Sequence, residues 1–194
     1  ASTNPALRHF CYPEHPTEAY RFFVGNGINK LFERALPESE RTEENVLRIR
    51  SKFIPYYNEH NADFSTPYPD IPEVLHILQE HGLILAVASN KYQLATEKLI
   101  AHYFPTIRFV KVLGQREGIP VKPDPTIVND ILKIAHVSKE EVLYVGDSGV
   151  DMQTALNAGV DAVGVTWGFR PRTELEPLKP LGLIDKAKEL LTYI

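Results

Sequence analysis

Cysteine, methionine and tryptophan occur once each in 194 residues, as Cys11, Met152 and Trp167. A single cysteine excludes a disulfide within the chain and suits a reducing compartment, so a cytoplasmic location is expected. No apolar run nears the roughly 18 residues of a membrane helix. The first residues also lack the basic-then-apolar order of a secretory signal, and no membrane partner is expected. A basic excess is missing too. Twenty-one Lys and Arg stand against 25 Asp and Glu, for a net charge of −4, with no basic cluster, which argues against a nucleic-acid partner. The seven histidines are scattered without the paired spacing of a metal site. What is present is ordinary globular material, 43% hydrophobic and 24% charged, enough to build a sizeable core and too apolar for disorder.

The order of the patterns divides the chain. Over residues 1–64 no strand is expected. A helical remnant at 1–10 meets a break at Pro13 and Pro16, and Gly25-Asn26-Gly27 precedes Ile28, Leu31, Phe32 and Leu36 at helical spacing. Thr42 then opens a long amphipathic helix with Val46, Ile49, Phe53 and Tyr56 on one face. Residues 65–69, Ser-Thr-Pro-Tyr-Pro, read as a linker. Beyond them strands and helices alternate: a helix from Ile71 ending at Gly82, a strand Leu83–Ala88 buried on both faces, a helix 93–102, a strand 109–113, a helix 125–135, a strand 141–145, a helix to Ala158, a strand 161–165 and a closing helix 184–191. Alternation of this kind predicts an α/β fold, a parallel sheet with right-handed crossovers, beside a small all-helical unit.

The chemistry gathers at strand exits. Asp147 follows the strand 141–145, and Asp151 stands four residues on, in the first turn of the next helix, where a carboxylate suits the dipole. In an open parallel sheet ligands sit beyond the carboxyl ends of the strands. Two carboxylates there make a hard-oxygen site fit for Mg²⁺ with waters and phosphate oxygens; a helix N-cap and a turn explain the same residues. Ser89 lies at the exit of LILAVA, with Asn90 and Lys91 at the expected start of a helix, an arrangement that cradles a phosphate or simply caps the helix. Lys122 stands before Pro123-Asp124-Pro125, whose stiff backbone holds one cation in one place. A helix entry accounts for that segment equally well. Cys11 falls in the helical third of the chain, away from any base identified as catalytic, and is not expected to act as a nucleophile.

Together, SNK at 89–91, VKPDP at 121–125 and GDSGVD at 146–151 resemble the second, third and fourth motifs of the haloacid dehalogenase-like phosphatases, and within that superfamily the chain is similar to the phosphoglycolate phosphatases. The resemblance covers nearly the whole chain. It implies a Rossmann-like core at 66–194 and a helical cap at 1–65. It also implies roles: Ser89 and Asn90 binding the phosphoryl group, Lys122 balancing its charge, Asp147 ligating Mg²⁺, Asp151 supporting the metal site, and Gly25, Asn26 and Gly27 forming the cap loop that meets the substrate. A helix-entry turn also explains that Gly-Asn-Gly.

The family opens on a strand ending in Asp-x-Asp, whose first aspartate is the phosphorylated nucleophile. No such segment is found in residues 1–194, and that strand belongs at the centre of the sheet, between those ending at Ser89 and Asp147. The expectation is that roughly two dozen residues of a working domain lie upstream, and that residues 1–194 alone are inert. The implied activity is Mg²⁺-dependent hydrolysis of a small phosphorylated acid such as 2-phosphoglycolate, through an aspartyl-phosphate. The alternatives are a non-catalytic phosphate-ester binding protein, or a mutase or dehalogenase on the same fold.

Overall fold

Thr42 shows how locally the helical third is written. Its hydroxyl accepts from the Asn45 N–H at 3.2 Å, capping the long helix Glu43–His60 (α4) at the position where a Thr side chain satisfies an orphan donor. The computed structural model describes residues 2–194. Before α4 come α1 (Asn4–His9), α2 (Tyr20–Phe23) and α3 (Ile28–Ala35). Their apolar faces meet around Leu7, Phe32, Leu36, Ile49 and Phe53, a core of their own. No strand lies among the described residues before Leu85, as the helical spacing predicts.

Helix α5 (Ile71–Glu80) leads past Gly82, in the left-handed region at φ +79°, into β1 (Leu85–Tyr92). There follow α6 (Gln93–Tyr103), β2 (Phe109–Gln115), α7 (Thr126–Ala135), β3 (Leu143–Gly146), α8 (Gly149–Ala158), β4 (Asp161–Val165), α9 (Arg172–Leu175) and β5 (Gly182–Ile184). All pairings are parallel, and they form two pieces, β1 with β2 and β3–β4–β5. The edges of β1 and β3 are not paired to each other. The pieces share a core through α7, where Leu113 of β2, Ile127, Val128 and Leu132 of α7 and Tyr144 of β3 pack together.

Three expectations shift. The strand expected at Leu83–Ala88 begins two residues later and runs on to Tyr92, with an irregularity between Ala88 and Tyr92. Leu83 and Ile84 precede it and stay 40% and 56% exposed. The both-faces-buried reading fails because, among the described residues, β1 has one hydrogen-bonded neighbour and lies at an edge of its piece. Next, β5 takes the free edge of β4, pairing Val163 with Gly182 and Val165 with Ile184; three residues are too few to show alternation in sequence. Ile184 therefore belongs to a strand, and the closing helix is a 3₁₀ turn at Ala187–Tyr193. Among the described residues no helix is long and apolar enough to cross a membrane.

Candidate functional site

A cavity of about 490 Å³ opens where the helical unit meets the carboxyl ends of β1 and β3. Ser89, Asn90, Lys122, Asp147 and Asp151 all line it, so the chain brings together residues up to 62 positions apart. Gly25 and Gly27 reach it from the other side. Asn26 does not line it: its side-chain oxygen accepts from Arg34 Nη2 at 2.9 Å.

Lys122 is the best-held group of the set. Its residue is 8% exposed, and its ammonium donates to Asp151 Oδ1 at 2.6 Å, the Ala88 carbonyl at 3.0 Å and the Tyr144 hydroxyl at 3.1 Å. Burial by itself would lower the Lys122 pKa, but Tyr144 and the Asp151 charge, with hydrogen bonds to both, leave it raised. Asp151 answers in the opposite sense. Its burial works upward, and Lys122, Ser148 and Tyr144 outweigh it and hold the carboxylate below the ordinary range. Burial pushes the Tyr144 hydroxyl up to about 12, so it stays a neutral donor to Asp151 Oδ1 at 3.2 Å. Tyr144 was not predicted; its signal is a tyrosine within an apolar strand, since a buried phenol needs a partner for its polar end.

The strand-turn-helix at β3–α8 sets the carboxylates. Ser148 caps α8, accepting from the Asp151 N–H at 3.3 Å while its own hydroxyl donates to Asp151 Oδ2 at 2.6 Å. The Asp147 N–H donates to that same oxygen at 3.3 Å. Gly146 permits the approach, because a Cβ there would stand 2.2 Å from Asp151 Cβ. Asp147 Oδ2 accepts from the Phe169 N–H at 3.0 Å, and Gly168 leaves room for it: a Cβ on Gly168 would lie 2.1 Å from that oxygen. Phe169 enters the site through its backbone, which residue type does not advertise.

Ser89 and Asn90 lie in the irregular end of β1, not at a helix start, since α6 begins only at Gln93. The Ser89 hydroxyl accepts from the Lys91 N–H at 3.1 Å and faces the cavity. Asn90 is buried, and its amide is a clamp. It donates to the Lys122 carbonyl at 3.0 Å and the Gly25 carbonyl at 2.9 Å, and accepts from the Lys122 N–H at 2.8 Å. One side chain thus ties β1, the VKPDP segment and the Gly-Asn-Gly loop. Arg170 adds a second tie between the two units, donating to the Val24 carbonyl at 3.2 Å.

The donor set fits Mg²⁺. Burial is the chief cause that pushes Asp147 up, with Asp151 adding to it against the Phe169 N–H and Lys122, and Asp147 has no ion-pair partner among the described residues. A desolvated carboxylate of that kind gains most from a cation. Mg²⁺ is bound by one or two carboxylates together with waters and phosphate oxygens, and Asp147 and Asp151 both line the cavity.

The chain is similar to known proteins over most of its length. A family model described as haloacid dehalogenase-like hydrolase matches residues 1–165. Phosphoglycolate phosphatase of Haemophilus influenzae (strain 86-028NP) is 31% identical over 199 residues, covering 100% of this chain and 89% of that protein. A crystal structure from Lactobacillus delbrueckii subsp. bulgaricus matches with a TM-score of 0.90 at 29% identity, over 100% of this chain and 89% of that one. Another, from Haemophilus somnus 129pt and called a "predicted phosphoglycolate phosphatase", matches with a TM-score of 0.88 at 26% identity, over 99% and 88%.

Proposed function

The chain belongs to the haloacid dehalogenase-like hydrolase family, and on that premise we propose that it is a Mg²⁺-dependent phosphatase of small phosphorylated acids, with 2-phosphoglycolate its foremost substrate. The observation that carries the reading is the ammonium of Lys122, fixed by three partners at the floor of a cavity that also holds Ser89 and Asp147. We take residues 1–65 as the cap and 66–194 as the core. The lone Cys11 fits a cytoplasmic enzyme.

Each residue has a task. The Ser89 hydroxyl and the Asn90 main-chain N–H bind phosphoryl oxygens, and Lys122 balances the charge there from a position that needs no reorganisation. Asp147 holds the metal directly. Asp151, whose oxygens already serve Lys122, Tyr144 and Ser148, supports the site from behind. Bound Mg²⁺ supplies electrostatic relief to the phosphoryl oxygens. Gly25 and Gly27 bring the cap backbone to the substrate.

Asp147 and Asp151 are the only carboxylates lining the cavity among the described residues. We assign the nucleophile to an Asp-x-Asp strand seated between β1 and β3, the two edges not paired to each other. Its first aspartate attacks phosphorus and expels the alkoxide of the ester, which takes a proton from the second aspartate. Water then cleaves the acyl phosphate, returning the carboxylate and releasing phosphate. The same lining supports one second reading, a phosphate-ester binding protein without turnover.

Phosphate release from 2-phosphoglycolate by the full encoded protein tests this. Turnover that stops with EDTA and returns with Mg²⁺ is expected, together with none from residues 1–194 alone. Binding of the ester without turnover in the full protein selects the second reading.

A further inference from the structure

Among the described residues three cationic side chains line the cavity, and two are committed. Lys122 is spent on Asp151 at 2.6 Å. Arg170 holds the Val24 carbonyl and stands 3.8 Å from Glu174. Lys91 makes no ion pair among the described residues. Its ammonium donates to the hydroxyl of Tyr57, on cap helix α4, and lies 4.8 Å from the centroid of that ring. An ammonium carries three donors, so two are left for a ligand.

The surroundings make that charge effective. Tyr57 is stacked on Phe53 at 4.9 Å and 16°, with Tyr92 edge-on at 6.2 Å. Ile28 and Leu31 continue this wall. A cation against such a wall is poorly screened, so an anion entering the cavity meets a stronger field than at an open surface. Lys91 is also two residues from Ser89 in the irregular end of β1, and its amide bonds the Ser89 hydroxyl at 3.1 Å. One methylene and one ester oxygen separate the phosphate from the carboxylate in 2-phosphoglycolate, so both anions fit within the one cavity that Ser89 and Lys91 line.

We propose that Lys91, oriented by Tyr57, binds the carboxylate of the phosphorylated acid and so sets the preference for acids over phosphate esters that lack a carboxylate. This rests on the phosphatase reading above and adds the group that reads the substrate's second charge. Lys91 takes no part in phosphoryl transfer. Its contact exists in both ground and transition states, so its loss raises KM more than it lowers kcat.

The test compares 2-phosphoglycolate with ethyl phosphate, a matched ester without the carboxylate, in the full protein with Mg²⁺. In Lys91→Met the ratio of kcat/KM for the acid over ethyl phosphate falls about 10- to 100-fold, the worth of one charge-assisted contact. Tyr57→Phe lowers it severalfold, and Lys91→Arg keeps most of it. A metal-free readout runs beside this: with EDTA present, 2-phosphoglycolate raises the melting temperature of the wild type more than ethyl phosphate does, and Lys91→Met removes the difference. A ratio within threefold of wild type in Lys91→Met, or equal losses on both esters, overturns the inference alone. A wild type that neither turns over nor is stabilised by either ester overturns the phosphatase reading beneath it.

Discussion

Replacing Asp151 by Asn tests the buried pair on which the site is built. Both side chains of that pair are nearly closed to solvent, 9% and 10% exposed for Lys122 and Asp151, so the small value of a surface ion pair does not apply. Asparagine keeps an acceptor for the ammonium and removes the charge, leaving a buried cation uncompensated. The expected loss is about 3 kcal/mol, at the low end for breaking a buried pair. For a chain of this length that is a fall of roughly 6–12 °C in melting temperature, measured in metal-free buffer. Removing both partners, with Lys122→Met and Asp151→Asn together, should recover much of the loss, because no charge is then left buried.

The pH dependence follows from the two directions. Lys122 is raised by its partners, so its contribution is complete below the ordinary lysine value of 10.5 and disappears as pH climbs through the raised one. Asp151 is held down, so its contribution is complete above 3.8 and disappears as pH falls through the lowered value. From about pH 4 to 10 the wild-type pair is at full strength. In Asp151→Asn the burial of Lys122 is opposed by Tyr144 alone; with the folded-state pKa drawn below the unfolded one, stability rises with pH between those two values. The gap between wild type and variant should therefore narrow from pH 7 to pH 10. A loss under about 1 kcal/mol at pH 7, as for an exposed pair, or a gap that widens toward pH 10, would refute the reasoning.

Three further outcomes are expected. Asp147→Asn should weaken Mg²⁺ binding by on the order of tenfold or more in calorimetry, and an unchanged affinity would return Asp147 to a role in the turn. Gly168→Ala places a Cβ 2.1 Å from Asp147 Oδ2, so the carboxylate must move off the Phe169 amide; Mg²⁺ affinity should drop about 10- to 100-fold while Asp147 itself is intact. Asn90→Ala severs three hydrogen bonds at a buried position, which should cost about 2–4 kcal/mol in urea unfolding and speed amide hydrogen exchange in the 24–28 loop; exchange confined to wild-type rates would mean that the clamp does not hold the cap.

Sequence alone carried the features whose cause is local. The helical cap is legible because α3 and α4 each bury one stripe at helical spacing, and Thr42 marks the start of α4 by its own capping bond. The α/β order is legible because β2, β3 and β4 are short apolar runs between helical patterns, and Asp161–Val165 is observed as expected. Ser89, Lys122, Asp147 and Asp151 could be picked out because Ser89 and Asp147 follow apolar runs, Asp151 falls in the first turn of the next helix and Lys122 precedes a proline-stiffened turn. Tertiary structure decided whatever depends on a partner distant in the chain. Strand β5 exists because β4 has a free edge to offer it, and β1 is less buried than its apolar sequence suggests because one of its edges is not paired. Asn90 is a clamp because the carbonyls of Gly25 and Lys122 arrive beside it from 65 and 32 residues away. Asp151 serves Lys122 as much as any metal, and Lys91 meets Tyr57 across the join between the two units. Residue type and spacing specify what a side chain is able to do; which partner it finds is set by packing, because hydrogen bonds and ion pairs act only over a few ångströms and only folding brings those atoms within reach.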